Sequence, residues 1–193
     1  MFENSKEVIV CPLCKMQAKM VDRTHYFCNH CSWDSRENTV DIGYQSRQSS
    51  TLSNLFPHKF VFYTCEEDKT TCLSMESFLQ SLRVQDPVLQ KYICENYSAM
   101  NAWKLRFALR DWREDGLVYW NGKAIVRCSD EYTELITTAY DCLFYGNPVF
   151  REIVLPHFKG KYLIHSFGCD CETETLLTER EYRYQLNRLM EKI

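Results

Sequence analysis

Two pairs of cysteines and one carboxylate at a helix start carry the chemistry legible in this chain. Cys11-Pro12-Leu13-Cys14 and Cys28-Asn29-His30-Cys31 are separated by a thirteen-residue spacer. A Cys-x2-Cys turn directs two thiolates at one ion, and two such turns complete the tetrahedral shell of a structural zinc. A dithiol redox site needs a single Cys-x2-Cys in a βαβ setting, and a catalytic zinc keeps one position open; neither pattern is met. The spacing therefore predicts Zn2+ held by Cys11, Cys14, Cys28 and Cys31, with His25 and His30 left at the surface. The carboxylate is Glu76. Met75, Phe78, Leu79 and Leu82 recur at helical spacing around it. Ser74 is placed to cap that helix, and Glu76 falls in its first turn, where the helix dipole favours a negative charge. Such a group serves either as a base or a ligand-orienting carboxylate, or simply decorates a helix end.

The elements that must position these groups divide the chain in three. Residues 1–45 read as a four-cysteine zinc ribbon, with Ile9-Val10 and Tyr26-Phe27 as strands beside the two turns. So short a module buries little, and its metal would supply much of its folding free energy. Residues 46–51 are a polar, Ser-rich linker. Residues 52–193 read as a mainly helical domain with a few short strands, which makes the whole α+β. Lys59–Thr64 alternates as a strand and ends in the acidic loop Glu66-Glu67-Asp68. Asp86-Pro87 opens a helix after that of Glu76, and Ala99–Leu109 reads as another with Trp103 and Phe107 inward. Asn121-Gly122 is the turn of a hairpin from Leu117 to Cys128. Ser129 starts the longest helix, ended by Gly146, and Asn147-Pro148 opens a short one to Val154. Tyr162–Phe167 reads as a buried strand, and Thr178-x-x-Glu181 as the capping box of the last helix.

Composition sets the outer limits. The 193 residues are 45% hydrophobic and 25% charged with a net charge of −3, so bulk electrostatics give no case for nucleic-acid binding. No apolar run is long enough to span a membrane, and Met1–Lys6 lacks the layout of a signal peptide. Eleven cysteines without a secretory signal point to a reducing, cytoplasmic setting. Cys65, Cys72, Cys94, Cys128 and Cys142 read mostly as small buried hydrophobes, and Cys169-x-Cys171 is too sparse for a metal site. On the ribbon, Lys15, Lys19, Arg23 and Trp33 are the residues that would meet a phosphate or a base; solvating a small module is their plainer role.

Two segments resemble the NADAR family of N-glycosidases. Ser74, Glu76 and Gln80 match its Ser-x-Glu-His-x-x-Gln signature, and Leu52-Ser53-Asn54-Leu55-Phe56-Pro57 is similar to its Leu-Ser-Asn-Phe-Tyr-Pro opening. The resemblance spans roughly residues 52–190 and implies a NADAR-like domain that hydrolyses an N-glycosidic bond of an ADP-ribosyl or ribosyl-phosphate group, for instance on guanine in nucleic acid. It implies Glu76 and Asp170 as catalytic groups, and Asn54, Phe56, Asp111, Trp112, His165 and Ser166 as substrate-binding ones. A carboxylate beside the ribose would steady an oxocarbenium-like transition state, and a second group would activate water or protonate the leaving base. The sequence departs from the family at Ser77, at Arg83-Val84 and in a charged stretch, Glu172–Glu181, where the family carries a glycine-rich tail. The partners expected are an ADP-ribosylated substrate, with DNA or RNA held through the ribbon. Two other readings stand beside this one: a non-catalytic reader of ADP-ribose or a nucleotide, and a zinc-ribbon adaptor for nucleic acid.

Overall fold

The structure, a computed structural model, describes residues 9–22, 25–43, 50–65 and 68–193. The expectations for Arg23, for Glu66 and Glu67, and for most of the 46–51 linker lie outside them. The described residues form a mixed α/β fold of seven α-helices and four separate two-stranded sheets.

The cysteine module comes first. Its two turns share one hydrogen-bond pattern: Cys11 and Cys28 donate their N–H to the carbonyls of Met16 and Trp33, and accept at their own carbonyls from Lys15 and Ser32. Lys15 and Ser32 each follow the second cysteine of a turn, and both have positive φ, 61° and 60°. β1 (Lys19–Asp22) pairs antiparallel with β2 (His25–Phe27). The strand expected at Ile9-Val10 is reduced to a single bridge from Val10 to Gln17. Ile9, Ala18, Tyr26 and Trp33 pack with Cys11 and Cys28 into a small core of its own. α1 (Ser35–Asn38), capped by Asp34, leads into β3 (Thr39–Asp41).

In the larger unit, β4 (Phe60–Tyr63) turns Phe60 and Phe62 inward and leaves Val61 and Tyr63 exposed, the period-two pattern of a half-buried strand. It pairs antiparallel with β5 (Lys69–Cys72), a strand that the sequence pattern does not announce. α2 (Met75–Ser81) follows, and all seven of its residues are buried. Its polar residues are satisfied locally: Ser74 and Ser77 cap one another reciprocally, and the Ser81 hydroxyl donates to the Phe78 carbonyl. α3 (Pro87–Asn96) starts with the expected Asp86 cap and first-turn proline. α4 (Ala99–Lys104) is shorter than expected and tightens into a 3-10 turn over Leu105–Phe107. β6 (Leu117–Trp120) and β7 (Lys123–Val126) make the predicted hairpin, with φ of 49° at Asn121 and 77° at Gly122 as a type I′ turn requires.

α5 (Asp130–Gly146) is the long amphipathic helix, and it packs on β4. Asn147 caps the next segment by accepting from Phe150 N–H, and a widened turn over Phe150–Val154 runs into α6 (Leu155–Phe158), beyond the expected end at Val154. β8 covers only Tyr162–Ile164, stopping short of the expected Phe167, which is exposed. α7 (Glu179–Met190) carries the predicted Thr178–Glu181 capping box. Phe62, Phe78 and Trp120 meet at the centre with ring centroids 4.7–5.5 Å apart. Each such buried ring contributes about 1.5–3 kcal/mol relative to exposure.

The cysteine module is tied to this unit. β3 pairs with β8 in parallel, Thr39 opposite Tyr162 and Asp41 opposite Ile164. The Trp33 indole N–H donates to the Gly160 carbonyl at 2.9 Å, and Tyr162 sets its ring 6.0 Å from both Tyr26 and Trp33. Ile42, fully buried, belongs to the main core. Parallel strands need a long crossover, and here nearly the whole larger unit is that crossover.

Candidate functional site

Two sites emerge. In the first, the four cysteine sulfurs lie within 4.8 Å of one another, with Cys11 to Cys31 at 3.5 Å and Cys14 to Cys28 at 3.4 Å. A tetrahedron with metal–sulfur bonds of about 2.3 Å has edges of roughly 3.8 Å, so the donor set fits one ion. Backbone N–H groups aim at the sulfurs as well: that of Cys31, with help from His30, draws the Cys28 thiol down to about 6 against the effect of burial. The four cysteines therefore form a group able to hold a metal ion. His25, expected at the surface, is largely covered, its Nε2 3.0 Å from Asp34 Oδ1.

The second site is built around Glu76, the only Asp or Glu among the described residues that is buried. Its position follows from α2: the capped N-terminus fixes the helix, and the helix is wrapped by α3 and α4. Glu76 donates its backbone N–H to the Asn54 carbonyl at 3.0 Å, which brings the 52–57 segment against the helix. The Asn54 side chain accepts a hydrogen bond from the Tyr140 hydroxyl at 2.8 Å. One helical turn on, Gln80 donates its amide to Glu76 Oε1 at 3.0 Å. Gln80 in turn accepts from buried Arg83, whose guanidinium is anchored on the carbonyls of Leu109 and Arg110. Glu76 Oε2 has no hydrogen-bond partner among the described residues. Tyr182 closes the group, its hydroxyl bonded to the Leu52 carbonyl and its ring 6.3 Å from Tyr140.

Burial dominates the electrostatics. It raises the Glu76 carboxyl from 4.5 to about 7, against smaller downward pulls from the Gln80 amide and the Arg106 charge. The helix dipole, which by itself favours an ionised group here, is outweighed because removing a carboxylate from water costs more than a dipole end returns. Tyr140 and Tyr182 are likewise held as phenols by burial. Neither tyrosine was singled out from sequence. Both sit at helical spacing on apolar faces, Tyr140 four residues past Ile136 and Tyr182 four before Leu186, and a tyrosine there has to find a partner for its hydroxyl.

The other expected site residues go elsewhere. Asp170 is exposed and accepts the Arg180 N–H at the start of α7, so it does not form a buried pair with Glu76. Asp111 caps the short turn Trp112–Glu114 and is clasped by Arg113, whose guanidinium holds its carboxyl below the usual range. Trp112 is buried in the main core. Phe56 is half-buried with its ring 4.6 Å from that of His58. His165 donates its backbone N–H to Glu179 and lies 6.1 Å, ring to ring, from Tyr182, while the Ser166 hydroxyl is bonded to Asp41. Trp33, read as either meeting a base or, more plainly, solvating the module, does neither: it is 2% exposed and engaged with Gly160, and Lys15 is paired with Glu191. Phe107, expected inward, is 77% exposed because it lies past the end of α4, and Trp103, within α4, is only half-buried.

Two surface clefts lie apart from Glu76. One of about 250 Å3 lies between α5 and α7, lined by Tyr132, Ile136, Tyr184 and Glu181 among others; another of about 390 Å3 runs beside β4. The first is walled mainly by apolar surface, and its Glu181 is committed to Arg127 and Thr178. Neither of these two clefts is lined by Glu76.

A family model described as bacteriophage protein GP30.3 matches residues 46–191. The chain belongs to the bacteriophage protein GP30.3 family. No curated protein and no solved structure matches it. The GP30.3 match takes in the whole Glu76 site and stops short of the four cysteines. It also corrects the NADAR resemblance, which rested on a handful of positions. Ser74 and Glu76 are what a capped helix start selects in any fold, and Gln80 is the residue one turn beyond Glu76, so the three recur without common family.

Proposed function

We propose that this GP30.3-family chain is a hydrolase that cleaves the N-glycosidic bond of an ADP-ribosyl or ribosyl-phosphate group, with Glu76 as its acid–base. The observation that carries the reading is a buried carboxyl raised to about 7, with one oxygen held by Gln80 and the other without a hydrogen-bond partner among the described residues. A group of that pKa is divided between its two protonation states near neutrality, which suits it to give and take protons. In the proposed step the bond from the anomeric carbon to nitrogen breaks and its electron pair leaves with the base, which takes the Glu76 proton. Water adds to the anomeric carbon and returns a proton to Glu76. Between these events the carboxylate faces the positive charge of the ribose ring. Among the described residues the Asn54 amide N–H2 group has no acceptor, so it can meet a ribose hydroxyl while its oxygen stays with Tyr140.

In the same proposal the ion at Cys11, Cys14, Cys28 and Cys31 is Zn2+ with a structural role, since four thiolates close its shell. It braces the module that carries Trp33 and β3 onto β8.

The test uses the full chain loaded with zinc, incubated with guanine-ADP-ribosylated DNA and with small N-ribosyl compounds, and follows free ADP-ribose and free base by mass spectrometry. Release that disappears in Glu76→Gln is the expected result. No release from any substrate by a folded protein that still binds one of them overturns the hydrolase reading in favour of a non-catalytic reader.

A further inference from the structure

The end of α4 and the turn after it bring together Trp103, Arg106 and Phe107. Arg106 lays its guanidinium 3.4 Å from the centroid of the Trp103 ring and 4.6 Å from that of Phe107. The two rings stand edge to face, 6.3 Å apart at 85°, so they form the two walls of a corner. Among the described residues the Arg106 guanidinium donates no hydrogen bond and meets no carboxylate at ion-pair distance, although its charge is felt at Glu76. Phe107 is 77% exposed and takes no part in the core. α4, which carries Trp103, packs against α2, the helix of Glu76, and the Arg106 charge reaches the Glu76 carboxyl.

These features have a common reading. A guanidinium is planar and delocalised, and at 3.4 Å it occupies the place of a flat π-system stacked on the indole. It is a cation on a mobile stem with its donors unspent, which is what an anionic oxygen requires. We propose that Trp103, Arg106 and Phe107 are the binding lip of the Glu76 site for a purine nucleotide: the base takes the guanidinium's place on Trp103, with its edge toward Phe107, and Arg106 swings out to pair with the phosphate. The inference rests on the hydrolase reading only in naming which part of the substrate lies beyond the ribose. It places the specificity of the site in an exposed corner of α4, away from both surface clefts.

The experiment exploits the tryptophans. Of the four in the chain, Trp33, Trp112 and Trp120 are buried, which leaves Trp103 as the fluorophore that an added base can reach. AMP, adenosine and inorganic phosphate are titrated into the full chain, followed by tryptophan fluorescence and calorimetry. Saturable quenching by AMP is expected, weaker with adenosine and absent with phosphate. Phe107→Ser and Arg106→Gln change exposed side chains and leave the fold intact by circular dichroism. Loss of one stacking wall should weaken AMP binding roughly ten-fold, and Arg106→Gln should weaken AMP but not adenosine. Absence of saturable quenching at millimolar AMP, or equal affinity in all three proteins, overturns the proposal. The two readings fail separately. Quenching that persists in Glu76→Gln, in a protein that turns over no N-riboside, leaves the lip standing without the hydrolase. Turnover with an unchanged KM in Phe107→Ser leaves the hydrolase without the lip.

Discussion

Replacing Glu76 by Gln removes one titration while keeping the side chain's shape, which makes it the sharpest probe of what the buried carboxyl does to stability. In the folded chain burial holds this group at about 7 instead of 4.5. In the unfolded chain it titrates at its ordinary value. Between the two, the folded state keeps a proton that the unfolded state has lost, so the contribution of Glu76 to stability falls as pH rises through that window. Below about 4.5 both states are protonated and there is no penalty; above about 7 both are ionised and the penalty is complete. At about 1.36 kcal/mol per pH unit the interval corresponds to roughly 3 kcal/mol, a large share of the about 5–15 kcal/mol that holds a domain folded. Gln keeps the shape, offers an oxygen to the Gln80 amide and has nothing to ionise. Unfolding of both proteins by urea over a pH series gives two curves, and subtracting them cancels every other group. The difference should grow in favour of Glu76→Gln from acid to neutral pH and level off near pH 8, by about 3 kcal/mol in all. A flat difference would refute the argument that burial sets the protonation of this residue. A difference of opposite sign would mean that Arg106 holds Glu76 ionised in the fold.

Three further outcomes are expected. The purified chain should carry about one metal ion, and a chelator or Cys28→Ser should cost several kcal/mol in stability; hydrogen exchange should rise at 39–42 and 162–164, and unchanged protection there would separate the metal from the strand seam. Gly160→Ala forces φ of +80° on a residue with a side chain and sets its Cβ 2.5 Å from Leu13. It should lower stability by about 1–2 kcal/mol in thermal denaturation, with no loss if the backbone relaxes freely. Tyr140→Phe leaves the Asn54 oxygen without its donor beside Glu76, and should cost about 1 kcal/mol of stability while reducing turnover of any N-riboside; full turnover would remove Asn54 from the site.

What could be read from the chain in advance was local. The α2 stripe, the Asp86-Pro87 start of α3, the Asn121-Gly122 turn and the Thr178–Glu181 box each depend on residues within one or two turns, and each is present. β5 was missed because Lys69-Thr-Thr-Cys has no apolar alternation, and its place is set by Phe60 and Phe62 across the hairpin. The inward assignment of Phe107 failed because it assumed a helix to Leu109, and a helix that ends at Lys104 turns its later residues outward.

The sequence by itself determined the pairing of the four cysteines at one place, the caps of the main helices and the position of Glu76 at a helix start, because spacing and hydrogen bonding over a few residues are enough for each. The tertiary structure alone decided that Glu76 is stripped of water, that Asp170 is used as a cap, that Trp33 is an anchor and that Phe107 faces outward. It alone also joined Thr39 to Tyr162 across most of the chain. The physical reason is common to all of these. Protonation, burial and strand pairing depend on which distant surfaces displace solvent from a residue, and no local spacing encodes that.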